Sequence, residues 1–289
     1  MAQGNLQYQF KRLGISEKLI VANVLVFILE GLLLALFDVS ISRWFQLPKD
    51  FFDFLVQPWS LFTYSFFHAG LGHIFWNVLM LYFTGRIFLN LFDSKRFLTV
   101  YFMGVLVGGL VFLLSYNVFP TLINQNTALI GASAGVTAVL IFICTYIPNQ
   151  EVRIIFFNVK LWHIGLFFVL VDLVQIASGS NIGGRLAHLG GAFLGYFYAR
   201  QLLNGLDIGE GFSNFFSSMG EWFKPREKKP PLKTVYKKSA DRSTRRDKDY
   251  DKMARQKKID AILDKISQSG YESLTKAEKD FLFKAGKEN

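Results

Sequence analysis

Six apolar runs alternate with polar or mixed connections along this chain. They lie at about Leu19–Phe37, Leu71–Leu91, Phe97–Tyr116, Gly131–Ile147, Leu161–Ala177 and Leu186–Leu203. Each approaches or exceeds the roughly 18–20 residues that carry a helix across a bilayer. Pro148 closes the fourth run, because proline cannot continue a helix. The pattern predicts an all-α, polytopic membrane protein: a six-helix bundle over residues 19–206, behind an N-terminal segment of residues 1–18. The first run is too long for a signal-peptide core and no small-residue cleavage site follows it, so it is expected to stay as a span.

Two regions depart from this alternation. The connection from Asp38 to about Gly70 carries Pro48, Pro58, Trp59 and many Phe, a composition suited to the membrane interface. Past the sixth run, Phe212, Phe215, Phe216, Trp222 and Phe223 predict a short interfacial helix, and a basic, disordered linker follows from about Lys224 to Asp251. Residues 207–251 are thus an interfacial segment and linker, and residues 252–289 a small helical region. In the latter, Ile259, Ile262, Leu263 and Ile266 recur at helical spacing. Gly270 is a stop, and Thr275-Lys276-Ala277-Glu278 is a capping box that opens a second helix with Phe281 and Leu282. The stripe of this hairpin reads as a docking face.

Composition supports the membrane reading. The chain is 51% hydrophobic with 31 Phe and a mean hydropathy of +0.28, a load for which a soluble domain of 289 residues lacks interior. Of 32 Lys and Arg, 20 lie in residues 207–289, with 14 of the 22 acids, which makes the tail +6. A basic tail beside a membrane points to the cytoplasmic side and to anionic lipid, not to nucleic acid. With the N-terminus inside, the inner segments hold Lys11, Arg12 and Lys18, then Arg86, Lys95 and Arg96, then Arg153 and Lys160, and finally the tail. The outer loops hold only Arg43, Lys49 and Arg185. Both termini are therefore expected in the cytoplasm. The single Cys144 excludes an internal disulfide and reads as a small core residue.

The candidate chemistry lies in two runs of small residues, Gly131-Ala132-Ser133-Ala134-Gly135 and Ala187-His188-Leu189-Gly190-Gly191, the latter followed by Gly195. Polar groups within hydrocarbon are costly and read as functional by default. Ser133 and His188, without an obvious acid, suffice for a nucleophile and its base. On the predicted topology each is about three residues into a span that enters from outside. His68 and His73 flank the entry of the second span, with Asn77 one turn below His73, so all share a layer within roughly 10 Å of the outer surface. Gly131 and Gly135, and Ala187, Gly191 and Gly195, repeat a four-residue spacing that lets helices approach closely. Free N–H groups at a helix start, with His73 and Asn77 as side-chain donors, suit a developing oxyanion. His68 serves either the site or the loop before it. His163 reads as interfacial, and Glu30 and Asp172 as structural groups within spans.

These motifs, His68-x4-His73-x3-Asn77, Gly131-x-Ser133 and Ala187-His188-x2-Gly191-x3-Gly195, on spans two, four and six, resemble those of the rhomboid family of intramembrane serine proteases. The resemblance covers about residues 15–205. It implies a catalytic dyad of Ser133 and His188, oxyanion stabilisation by His73 and Asn77, packing of helices four and six through the Gly and Ala positions, transmembrane protein substrates and no cofactor or metal. Three positions depart from the family pattern: Ser60 follows Trp59 where arginine is frequent, Phe88 stands where an acid is frequent, and Thr137 where an aromatic often lies under the histidine. Two other classes fit the residues: a catalytically inactive protein that grips transmembrane helices, and a transporter using His68, His73 and His188. Zinc chemistry would want three ligands in one open geometry, and a transporter leaves the small-residue setting of Ser133 unexplained.

Overall fold

Helix boundaries follow from local capping. In the computed structural model, which describes residues 6–123, 125, 127–154, 156–214 and 242–287, a short helix α1 (Leu6–Arg12) precedes α2 (Ile15–Phe37). Glu17 starts α2 by accepting the Gly14 N–H at 2.7 Å. Near the far end of α2, Glu30 accepts from the Ser40 hydroxyl at 2.7 Å and the Ile41 N–H at 3.1 Å, so it holds the returning chain. The connection to the second long helix is folded: α3 (Phe51–Val56) and α4 (Ser60–Thr63) lead to a 3₁₀ turn at Tyr64–Phe66, then to α5 (Leu71–Leu89). Asp93 caps α6 (Ser94–Val118) through the Arg96 N–H at 2.7 Å. There follow α7 (Pro120–Ile123), α8 (Ser133–Tyr146), α9 (Leu161–Ala177) and α10 (Ile182–Leu203).

Helix α8 is apolar all round and is buried almost all round, from Ala134 to Cys144, as a helix without a polar face must be. Helices α6 and α10 enclose it. Their contact depends on missing side chains: a Cβ added at Gly108 of α6 would stand 2.7 Å from the Ala187 carbonyl oxygen, and one at Gly191 or Gly195 of α10 would collide with the carbonyl of Ala134 or Ala138. By contrast, α2 buries only Ser16, Leu19 and Asn23, and α9 only Leu161, Gly165 and Asp172. Leu25, Leu29 and Leu32 on α2, and Phe167, Leu170 and Val174 on α9, stay exposed; an apolar surface this continuous belongs in lipid.

By length and composition α2 and α6 can each cross a membrane, and α5 joins them when taken with Ser60–Phe66, from which it turns by 95°. α8 and α9 are apolar but shorter, and α10 carries Arg185, His188 and Arg200. Several helix boundaries differ from those expected, and two of them bear on the site. The fourth opens at Ser133, because Gly131 (φ 120°) lies outside the helix. The sixth opens four residues before Leu186, at Ile182, with Asn181 accepting the Gly184 N–H at 3.3 Å, so Arg185 is helical rather than in an outer loop.

Two small antiparallel pairs complete this part. β1 (Leu47–Pro48) pairs with β2 (Ala128–Leu129), which ties the long first connection to the chain just before α8. β3 (Glu151–Ile154) and β4 (Phe157–Lys160) form a hairpin between α8 and α9 that the periodicity did not announce. Beyond α10, Asp207 accepts from Arg96 at 2.9 Å and from Tyr198.

The chain divides into two compact units, residues 1–224 and 225–289. Residues 210–214 are helical, whereas Phe215, Phe216, Trp222 and Phe223 of the expected interfacial helix lie outside the described residues, as does the linker up to residue 241. From Arg242 the chain is helical, ten residues before the expected start of the helical region, so the end of the expected disordered linker is helix. α11 (Arg242–Ser269) ends at Gly270 (φ 76°), and α12 (Lys276–Lys287) opens on Thr275, whose N–H donates to Glu278 at 2.7 Å. The Thr275 N–H and the Lys265 ammonium, 3.0 Å away, hold the Glu278 carboxyl down to about 2.

Two outcomes follow. Gly191→Val should destabilise the bundle by about 1–3 kcal/mol through overpacking, read as a lower melting midpoint in detergent. Gly31→Ala, at a helical position with open space around it, should keep or slightly raise the midpoint. In a peptide of residues 242–289, the depressed Glu278 pKa means its contribution is complete above the ordinary glutamate range and is lost as pH falls toward about 2. Circular dichroism should show helicity falling over that window, less steeply in Glu278→Gln.

Candidate active site

Ser133 is placed by the turn in front of it. Gly131 takes φ 120°, a region that only glycine enters without strain, and its N–H donates to the Tyr64 carbonyl at 3.0 Å. Tyr64 is itself buried and donates its hydroxyl to the Val105 carbonyl at 2.7 Å. The chain thus enters α8 at a fixed point, with Ser133 as the first helical residue. The amides of that first turn have no acceptor within their own helix, so they remain available to an anion.

His73 comes from the first turn of α5. Its Nδ1 accepts the Ala69 N–H at 3.3 Å, which puts the proton of the neutral ring on Nε2. That nitrogen faces Gly131: a Cβ added there would stand 2.6 Å from His73 Nε2 and 3.7 Å from Ser133 Oγ. A ring N–H and the serine hydroxyl therefore flank one glycine. Asn77, one turn further along α5, is buried and donates one amide N–H to the His73 carbonyl at 2.9 Å, leaving its second N–H for another acceptor. His68 packs edge-on against His73 with ring centroids 5.0 Å apart, but it does not line the cavity described next.

His188 lies in the second turn of α10, deeper in its helix than expected. Its Nδ1 stands 3.1 and 3.2 Å from the two oxygens of Asp172 on α9. Arg185, one turn before His188, donates to the same carboxylate at 2.8 Å. Asp172 is 4% exposed and so meets these two partners away from bulk water. Among the described residues no hydrogen bond joins Ser133 Oγ to His188. They share instead a cavity of about 810 Å³ between α5, α8, α9 and α10. His73, Asn77, Ser133, Asp172, Arg185 and His188 supply its polar wall, and Trp76, Met80, Leu140, Phe167 and Phe168 its apolar one.

Asp172 and Arg185 were not read as part of this constellation from the sequence. The signal was present: opposite charges at the end of the fifth run and the start of the sixth, each too costly to leave alone in an apolar layer. The small residues also divide their work differently from the expected packing of helices four and six. Gly191 and Gly195 meet Ala134 and Ala138, not Gly131 or Gly135. Gly131 lies against His73, Gly135 against the Tyr101 ring of α6, and Ala187 against Gly108. The Gly104-x3-Gly108 pair of α6, unread in the sequence, completes the contact.

The three departures have local accounts. Ser60 is fully buried. Phe88 is fully buried against Phe92 and Phe142, with ring centroids 5.0 and 5.1 Å away, an aromatic packing that replaces a carboxylate. Thr137 lines the cavity one turn after Ser133. Among the described residues no three His, Cys, Asp or Glu side chains converge as metal ligands.

Comparison with known proteins gives two family matches. The model of the Rhomboid domain matches residues 56–205, and that of a family of unknown function (DUF6576) matches residues 247–285. RHOMBOID-like protein 12, mitochondrial, of Arabidopsis thaliana is 32% identical over 146 residues, 46% of this chain and 43% of that protein. Presenilin-associated rhomboid-like protein A, mitochondrial, of Danio rerio is 29% identical over 137 residues, 46% of this chain and 35% of that protein. Rhomboid-related protein 1 of Caenorhabditis elegans is 29% identical over 153 residues, 51% of this chain and 40% of that protein. The chain spans less than half the length of these curated relatives.

Gly131→Ala should place a methyl against the His73 ring and force a strained φ, at a cost of about 1–3 kcal/mol. The expected readings are a lower melting midpoint and a displaced His73 ring resonance.

Proposed function

The chain belongs to the rhomboid family, and on that premise we propose that it is an intramembrane serine endopeptidase cleaving transmembrane segments of membrane proteins. The observation that carries this reading is the convergence of Ser133, His188, His73 and Asn77 on one cavity that apolar side chains also line. Ser133 Oγ attacks a peptide carbonyl of the substrate while His188 takes the hydroxyl proton. The oxyanion receives hydrogen bonds from the Ser133 N–H, from His73 Nε2–H and from the second N–H of Asn77. His188 then gives its proton to the leaving amine, and water, activated by the same histidine, hydrolyses the acyl-enzyme and frees Ser133.

The substrate class follows from the apolar part of that lining. Trp76, Met80, Leu140 and Phe167 accept apolar side chains, and a segment with helix-breaking residues near the cut presents its peptide bond more readily than an intact helix. In membrane terms, the chain crosses six times, with both termini cytoplasmic and the cavity opening to the non-cytoplasmic side. The cationic tail lies beside the inner leaflet, where anionic lipid attracts it.

The test compares wild type, Ser133→Ala and His188→Ala in liposomes. It follows labelling by a fluorescent fluorophosphonate and cleavage of a transmembrane model substrate. Both signals should vanish in both variants, while His73→Ala and Asn77→Ala each lower kcat by about 10²–10³. Folded wild type that neither labels nor cuts, yet binds transmembrane helices, would replace the protease with an inactive helix-binding protein.

A further inference from the structure

The reading so far uses two residues for nucleophile and base, yet the base has a carboxylate behind it. We propose that Asp172 is a positioning residue for His188, held in place by Arg185, so that the nucleophile and base extend to a chain of three side chains. This inference rests on the assignment of His188 as base.

The chemistry is set by what a carboxylate can do. Ionised Asp172 only accepts hydrogen bonds, and both its oxygens stand within 3.2 Å of His188 Nδ1. Nδ1 must then carry the proton of the neutral ring. The lone pair is left on Nε2, the nitrogen at the far side of the ring, which is the form a base needs to accept the serine proton. When His188 becomes an imidazolium, Asp172 supplies the opposite charge at once, without rearrangement.

A carboxylate that served only to hold helices together would need no imidazole. Arg185 already provides the inter-helix ion pair at 2.8 Å, from a side chain one turn before His188 on the same face of α10. The two partners have separate tasks. Arg185 supplies the countercharge that lets a carboxylate persist at 4% exposure, and His188 is the group the carboxylate orients. The arrangement crosses from α9 to α10, so the ring is held by a neighbouring helix as well as by its own. That restraint matters here because Thr137, which lines the same cavity, offers no aromatic face to the ring.

The test uses the full chain in detergent, labelled with ¹⁵N-histidine. The chain has four histidines, and the His188 signals are assigned by their loss in His188→Ala. Wild type should show His188 protonated at Nδ1 and bare at Nε2. In Asp172→Asn the amide can donate to Nδ1, so the proton should move to Nε2. Cleavage by Asp172→Asn should then fall at least ~100-fold in kcat with KM unchanged, because the nitrogen that must take the serine proton already carries one, and fluorophosphonate labelling should slow in parallel. A wild-type His188 protonated at Nε2 would overturn the proposal by itself, even if Asp172→Asn failed to fold. So would an Asp172→Asn protein with the wild-type tautomer and wild-type kcat. If wild type neither labels nor cuts while His188 carries its proton on Nδ1, the protease reading fails and the positioning contact stands.

Discussion

The close approach of α8 to α6 and α10 is the constraint on which the rest of this structure depends. Helix backbones in lipid gain little from hydrophobic exclusion and associate through packing, so they need surfaces without side chains in the way. Gly104 and Gly108 on α6, with Gly191 and Gly195 on α10, provide those surfaces, and Ala134 and Ala138 of α8 fill them. With α8 clasped on two sides, its first residue, Ser133, has little freedom. The Gly131 turn, its hydrogen bond to the Tyr64 carbonyl and the pairing of Leu47 with Leu129 then fix the approach of the chain to that serine.

Around this apolar clasp sits one polar layer. Most of the groups that line the cavity are paired with one another, although among the described residues both ring nitrogens of His68 and Nε of Arg185 have no hydrogen-bond partner. Ala69 sets the tautomer of His73, His73 takes one amide proton of Asn77, and Asp172 joins Arg185 to His188. Such economy is expected where an unpaired polar group has no water to fall back on. The same layer leaves a few hydrogen-bonding positions unspent: the Ser133 hydroxyl, the first amides of α8 and the second N–H of Asn77. These are the groups the proposed chemistry uses.

The departures from the family pattern fit the same physics. A buried Phe88 stands in a cluster with Phe92, Phe97 and Phe142 at a position where the family often has an acid. Charge is retained instead at Asp172 and Arg185, beside the cavity.

Much of this was legible in the chain itself. The apolar runs located the long helices, with the α9 limits as expected, because a bilayer demands continuous hydrophobicity and leaves that demand in composition. The spacing of His73 and Asn77, one turn apart, followed from helical periodicity, as did the capping box at Thr275 and Glu278. What the sequence could not settle was which side chains meet across helices. That Asp172 reaches His188, that Gly135 faces Tyr101 rather than α10, and that Arg185 turns inward with the first turn of α10 all depend on the rotation and offset of neighbouring helices. Periodicity gives a residue its face on its own helix, but only the packing of one helix on the next decides what that face meets.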